Sequence, residues 1–382
     1  MLIHHSNQDY NVAASDAARE ARSKMEAIIA RGQASALALV EHVNTKVPQD
    51  ALVRGKALGW TLAQRDDGSW GLAAELGTNG RGQAGSSVPW VHKHALGQIA
   101  GRANIPERYL AGLLQSENAA LRSLAIGALD THYHRTDLAD GRHLCRSVDG
   151  ELRGFLSDRY RRLDSRPLVD AFAGACQALG AVPVEGVVSD VRLQLKAYLP
   201  MVFEPVPNEV MLIGLAWQNS DFGAGTHALS LTVLRLWCTN RATLNEAIKN
   251  VHIGRRLDET IEYSDRTYRL DTEATCSALK DTATNLLGPP RVNGVLETVR
   301  RANDEKVDWR AVQGRLAKTL SKNELGAARD SFEGPDVINL PPERTLWRAS
   351  NAISWIAGSA DSSDRRLELE QLAGDILARV AA

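Results

Sequence analysis

The chain has 382 residues, two to three times the commonest domain size, which excludes a small disulfide-stapled scaffold. Hydrophobic residues make up 44% and charged residues 24%, enough apolar material for a sizeable core and too much for wholesale disorder. Lys plus Arg is 45 against 46 for Asp plus Glu, a net charge of -1, so any surface for nucleic acid or an acidic membrane must be local.

Taken in chain order, the opening MLIHHSNQDYNVAAS lacks the basic start and apolar stretch of a secretory signal, and a cytoplasmic location is expected. Residues 13–42 mix small, apolar and charged side chains with no proline and predict one or two helices. Residues 53–64 and 70–76 flank Arg65-Asp66-Asp67-Gly68-Ser69, which predicts a hairpin. Glycines at 77, 80, 82 and 85 predict a loop, and helices are expected at 94–102 and from Pro106 to about 114.

Residues 152–163 read as extended, and Pro167 then opens a helix with Leu168, Phe172, Ala175 and Leu179 on one face, stopped by Gly180. Strict alternation follows. Val191, Leu193, Leu195, Ala197 and Leu199 point one way and Arg192, Gln194, Lys196 and Tyr198 the other, which predicts a half-buried strand with a solvated polar face. Residues 210–217 are apolar on both faces and suit a central strand, with a further strand at 229–238 across the 219–226 loop. Helices are expected at 273–287, 292–303, 309–329, 346–357 and 365–380.

The expected fold class is therefore α+β: an antiparallel sheet with a packed helix as core and a helical C-terminal third. The expected organisation is a helical extension at 1–46, a hairpin and helix pair at 47–150, the α+β core at 151–260 and a helical region at 261–382. No apolar run approaches the roughly 20 residues of a membrane-spanning helix.

Most motifs with a chemical reading fail on context. Gly80-Arg81-Gly82-Gln83-Ala84-Gly85 matches GxGxxG, but Pro89 stands where the phosphate-binding helix should run and no βαβ unit surrounds it. Gly55-Lys56 lacks the upstream glycine of a phosphate loop, so no nucleotide cofactor is expected. His92 and His94, and His132 and His134, could each place two imidazoles on one strand face, but their flanks read as loop or helix. Cys145, Cys176, Cys238 and Cys276 are too far apart for zinc, and no metal is expected. Residues 94–114 have a helix-turn-helix outline, yet after Glu107, Arg108 and Tyr109 the second helix offers little to a base edge, which favours packing.

The basic residues carry more. Arg153, Arg159, Arg161, Arg162 and Arg166 surround Tyr160; Arg192, Lys196 and Tyr198 share the polar strand face; Arg241, Lys249, His252, Arg255 and Arg256 follow the last strand. Cations that track phosphates, interleaved with rings that stack on bases, are what single-stranded nucleic acid requires. The binding set read from the sequence is Arg159, Tyr160, Arg161, Arg162, Arg166, Arg192, Lys196, Tyr198, Arg241, Lys249, His252, Arg255 and Arg256. The plainer alternative is that the arginines pair with Glu151, Asp158, Asp164 and Asp190. A catalytic centre, if the protein is an enzyme, would use the Asn219, Asp221, His227 loop with Asn240 and His252.

Several ordered motifs resemble one family. They are Gly154-Phe155-Leu156-Ser157-Asp158-Arg159-Tyr160-Arg161-Arg162-Leu163-Asp164, Trp217-Gln218-Asn219-Ser220-Asp221 with Gly223 or Gly225, Leu236-Trp237-Cys238-Thr239-Asn240, and His252 with Gly254. Upstream, Gln98-Ile99-Ala100-Gly101-Arg102 with Ile105-Pro106-Glu107-Arg108-Tyr109-Leu110, and near the end Leu346-Trp347-Arg348 with Asn351-Ala352-Ile353, complete the pattern. From about residue 47 onward the chain resembles the phage/plasmid-like protein family, domain of unknown function 932. It departs from the family's pattern in having Ala-Gly-Thr-His after Phe222, where a more compact His-Asp-Gly-Ser is common, which puts a catalytic role for that loop in doubt. The resemblance implies a mobile-element setting. The function expected is single-stranded DNA binding and annealing by a homo-oligomer in recombination or replication, with no cofactor and no membrane partner. The alternatives are an enzyme built on the polar loop and a protein-interaction factor that counters host defence.

Overall fold

Two sheets divide the strands of the computed structural model, which describes residues 10, 12–77, 88–237, 241–250, 264–334 and 340–377, with the backbone alone at 244–250 and 265. The fold is α+β, with helices filling the C-terminal part.

The first sheet has the order β1 (Gln49–Arg54), β5 (Arg142–Val148), β6 (Glu151–Ser157), β4 (Trp90–Val91), β3 (Trp70–Leu76), β2 (Leu58–Gln64), and its pairs are antiparallel except β4 with β6. The expected hairpin is β2–β3, whose turn is closed by Gly68 at φ +82, a conformation open to glycine at little steric cost. Helices α2 (Lys93–Arg102), α3 (Glu107–Leu114) and α4 (Ala119–Arg135) share one hydrophobic core with this sheet, where Leu58, Trp60, Leu72 and Ala74 join Ile99, Leu110 and Leu129. Trp60, Tyr133 and Phe155 pack ring to ring in that core.

The second sheet runs β12 (Arg241–Asn250), β11 (His227–Arg235), β10 (Glu209–Asn219), β8 (Leu193–Tyr198), β7 (Val182–Val188), with β9 (Phe203–Val206) pairing the start of β10. Helix α5 (Ser165–Leu179) lies on one face, its Phe172 stacked on Trp217 at 6.3 Å, and Gly180 ends it at φ +69. Helices α6 (Asp265–Leu286), α7 (Pro289–Asp304), α8 (Trp309–Leu316), α9 (Lys322–Glu333) and α10 (Leu346–Ala357) extend the same core. The single long helix expected at 309–329 is two, because Ser321 and Glu324 form a reciprocal capping box that starts α9.

Three placements differ from the sequence reading. Helix α1 (Asp16–Thr45), read as an N-terminal helical extension, packs on β7. Strand β6, read as the opening of the core, belongs to the first sheet. Helix α4 escaped prediction because apolar residues occur around its circumference, with Leu121 and Leu124 exposed and Ala125, Leu129 and Tyr133 buried.

The half-buried strand is also corrected. The alternation is real, but β8 is buried on both faces. Its apolar side meets α5, and helix α11 (Ser363–Leu377) brings Arg366 and Glu370 to the polar side. Among the described residues no helix is long and apolar enough to cross a membrane.

The contact of α1 with β7 is made backbone to backbone through two glycines. A Cβ on Gly32 would fall 1.8 Å from the Val184 carbonyl oxygen, and one on Gly186 would fall 2.3 Å from that of Ser35. Gly174 in α5 has nothing within 4 Å of its added Cβ. Urea unfolding should show Gly32→Ala and Gly186→Ala each destabilised by about 1 to 3 kcal/mol or more, and Gly174→Ala stabilised by about 0.5 to 1 kcal/mol.

Candidate nucleic-acid interface and the seam between the sheets

The two sheets meet around one buried cation. Arg146 on β5 donates from Nε to Asp50 at 2.7 Å, from Nη2 to Asp164 at 2.6 Å, and from Nη1 to the backbone oxygen of Asp221 at 2.8 Å. Burial works against its charge, but Asp164 and Asp50 outweigh burial and hold its pKa above the ordinary value. Asp50 lies on β1, Asp164 immediately precedes α5, and Asp221 stands in the β10–β11 loop, so one guanidinium ties three separate segments.

Asp221 is itself locked. Its Oδ1 accepts from the backbone N–H and the hydroxyl of Ser165, both at 2.8 Å. Asn219 donates to the Leu163 carbonyl at 2.8 Å and to Ser165 Oγ at 3.0 Å, and the Tyr160 hydroxyl donates to the Ser220 carbonyl. Burial lifts the Asp221 carboxyl from its ordinary 3.8 to about 6, more than the Arg146 charge lowers it. Beyond it, the Phe222 carbonyl accepts from Gln98, whose Oε1 takes the Phe155 N–H. Two of the motifs quoted for the family resemblance, 154–164 and 217–225, are therefore neighbours in space. Asn219 and Asp221 come together as the polar loop required. His227 is buried against the Trp217 ring at 6.3 Å, while Asn240 and His252 lie outside the described residues.

The basic residues separate into three groups. Arg161 is bidentate to Asp271 of α6 at 2.5 and 2.7 Å and also reaches Thr275, so it docks α6 onto the 158–164 loop. Beside it Arg162 lies 3.4 Å from Asp50 and 5.4 Å from the centre of the Tyr268 ring, and Arg159 and Arg166 are exposed. In the second group, Arg192 donates to the Ala224 carbonyl at 2.6 Å, and Arg153 pairs with Glu151 and donates to the Asp190 carbonyl. The third group forms the polar face of the second sheet.

That face is where the sequence-based binding surface fails. Lys196 is wholly buried, donating to Glu370 at 2.5 Å with Glu185 at 3.5 Å. Arg366 joins the same two carboxylates and Arg241 lies 3.0 Å from Glu185. Tyr198 is also wholly buried, packed with Val184, Val210 and Leu212. Neither Lys196 nor Tyr198 can reach a nucleic-acid strand, because Glu370 of α11 holds Lys196 and Tyr198 lies in a core that Ala18, Ala21 and Met25 of α1 complete. Lys249 lies on β12 with its side chain outside the described residues, as do His252, Arg255 and Arg256 altogether.

The paired histidines act locally. His92 caps α2 and faces Asp190, His94 bonds the Phe222 carbonyl, and His134 bonds the Leu58 carbonyl. Among the described residues no three His, Cys, Asp or Glu are grouped to hold a metal ion. Sequence reasoning missed Arg146, Tyr268 and Asp271, which reach the site across 100 residues or more of chain or lack a local motif. No protein-family model matches the chain, and neither a curated protein nor a solved structure matches it significantly.

Two predictions follow from the buried charges. Removing Lys196 takes the nearest cation from buried Glu370 and leaves Arg366 and Arg241 to face the two carboxylates, so Lys196→Ala should lose about 3 kcal/mol in urea unfolding, the low end for a broken buried pair, whereas partly exposed Arg192→Ala should lose far less. Asp221 is protonated more readily in the folded than in the unfolded chain, so its contribution to stability is favourable below about pH 4 and is lost as pH rises through about 6. The stability of the wild type relative to Asp221→Asn should fall by roughly 3 kcal/mol between pH 4 and 7. A difference independent of pH would show that Asp221 is not held up by burial.

Proposed function

We propose that the protein binds single-stranded DNA on the surface formed by the 158–166 loop and the first turns of α6, and assists annealing in a mobile element. The observation that carries this reading is the Arg162 guanidinium beside the Tyr268 ring, held there because Arg161 clamps Asp271 one turn of α6 further on. Around that pair Arg159, Arg166 and Arg266 are exposed, supplying positive charge next to a ring, and Arg269 is exposed 3.6 Å from Glu273. An open groove of about 490 Å³ adjoins it, running from Pro167 past Arg269 and Thr272 to Lys280. The family resemblance supports the mobile-element setting. Annealing needs several copies in register along a strand, so self-association belongs to the proposal.

The enzyme alternative gains less support. Asn219, Ser165 and Asp221 spend their hydrogen bonds on one another and on the loop backbone, which suits positioning of the seam.

The test is filter binding of a short oligothymidylate across a salt series. Arg159→Glu with Arg166→Glu should fold normally, weaken binding, and shallow the log-log salt slope by roughly 1.4, the value for about two lost phosphate contacts on a single strand. Tyr268→Ala should cost about 1 to 3 kcal/mol of binding free energy. Unchanged affinity and slope in the double variant would overturn the proposed surface. Light scattering should give a multiple of the single-chain mass with the oligonucleotide bound; a single-chain mass in both states would remove the annealing role.

A further inference from the structure

Helix α4 buries Ala125, Leu129 and Tyr133 in the core of the first sheet, yet its opposite side is apolar too. There Leu121, Leu124, Ala128 and Thr131 follow one another at steps of three, four and three, the seven-residue repeat that keeps side chains in one line along a helix. Leu121 is 40% and Leu124 52% exposed. One further step of four at either end reaches Glu117 and Arg135, both exposed and neither in an ion pair among the described residues. We infer that this line of residues pairs α4 with the same helix of a second copy of the chain, antiparallel, about a two-fold axis level with Ile126.

The face is complementary to itself. Antiparallel pairing sets Leu124 against Ala128 of the second copy and Leu121 against its Thr131, large on small at each level, and brings Glu117 to its Arg135 at both ends. Parallel pairing would instead oppose Glu117 to Glu117 and Arg135 to Arg135. The two helix dipoles also oppose each other when the helices run in opposite directions. Between the ends the line carries no charge, because Arg122 is turned to the Ser116 and Glu117 carbonyls and the Trp70 ring, and Asp130 faces His134. Ala120 and Gly127 beside it are small and exposed, and a Cβ on Gly127 would meet nothing within 4 Å in the single chain, so two backbones can approach closely. The 17 residues of α4 span about 26 Å, a small contact that suits a reversible dimer. The pairing supplies the self-association of the proposed annealing, and rests on that reading only for the expectation that copies assemble. A two-fold pair turns its two strand surfaces in opposite senses, the relation that complementary strands bear to each other.

Sedimentation of the full chain without DNA, over concentrations from micromolar to millimolar, tests the pairing. A shift from one chain to two is expected. Leu124→Glu, at a position half exposed in the single chain, should keep the urea midpoint and raise the dissociation constant by roughly a hundredfold or more, because the two-fold axis removes each leucine contact twice. Glu117→Arg should weaken the dimer several-fold, and Glu117→Arg combined with Arg135→Glu should restore it, whereas a parallel pair would not respond to Glu117→Arg. A single-chain mass at every concentration, or a dimer indifferent to Leu124→Glu or to Glu117→Arg, overturns the inference. The chain carrying Arg159→Glu and Arg166→Glu should still dimerise, and the Leu124→Glu chain should still bind a short oligothymidylate, so failure of this interface and failure of the strand surface are distinguishable.

Discussion

A guanidinium out of water must be matched by acceptors, and the whole seam of this protein is arranged to match Arg146. Its partners come from β1, from the residue preceding α5 and from the β10–β11 loop, so satisfying one side chain fixes two sheets and a helix relative to each other. Asp50 is shared with Arg162, which carries the arrangement outward to Tyr268 and α6. The Asp221 and Phe222 backbone carries it the other way, to Gln98 and through it to the Phe155 backbone of β6. The surface proposed to meet the strand thus depends on one interaction that it does not contain.

The second sheet solves the same problem more deeply. Lys196, Arg241 and Arg366 face Glu185 and Glu370 beneath α11, with three positive and two negative charges closely interleaved. Such a network adds little net stability over a well-packed apolar core, but it penalises any arrangement that leaves one member alone. It therefore specifies where α11 docks, and Leu369, Ala373 and Leu377 then seal the contact.

Much of the fold was legible locally. The β2–β3 hairpin, the start and glycine stop of α5, the alternation of β8 and the helix at 346–357 all follow from patterns within about 15 residues. The covering of the β8 polar face was not legible, since its partners lie some 170 residues later and an amphipathic pattern looks the same under water or under a polar helix face. The basic cluster at 159–166 was legible as charge, but its division into a clamp (Arg161), a ring contact (Arg162) and exposed cations (Arg159 and Arg166) depends on Asp271 and Tyr268 of α6. Burial likewise separates Lys196 and Tyr198 from that surface, although the alternation grouped them with Arg192.

The most direct test of the account is hydrogen exchange of the full chain with and without a short oligothymidylate. Bound DNA should slow exchange in the 158–166 loop and the first turns of α6 while leaving β8 and α11, already buried, unchanged. Protection confined to other surfaces, or none at a saturating concentration, would contradict the proposal that these residues form the nucleic-acid surface.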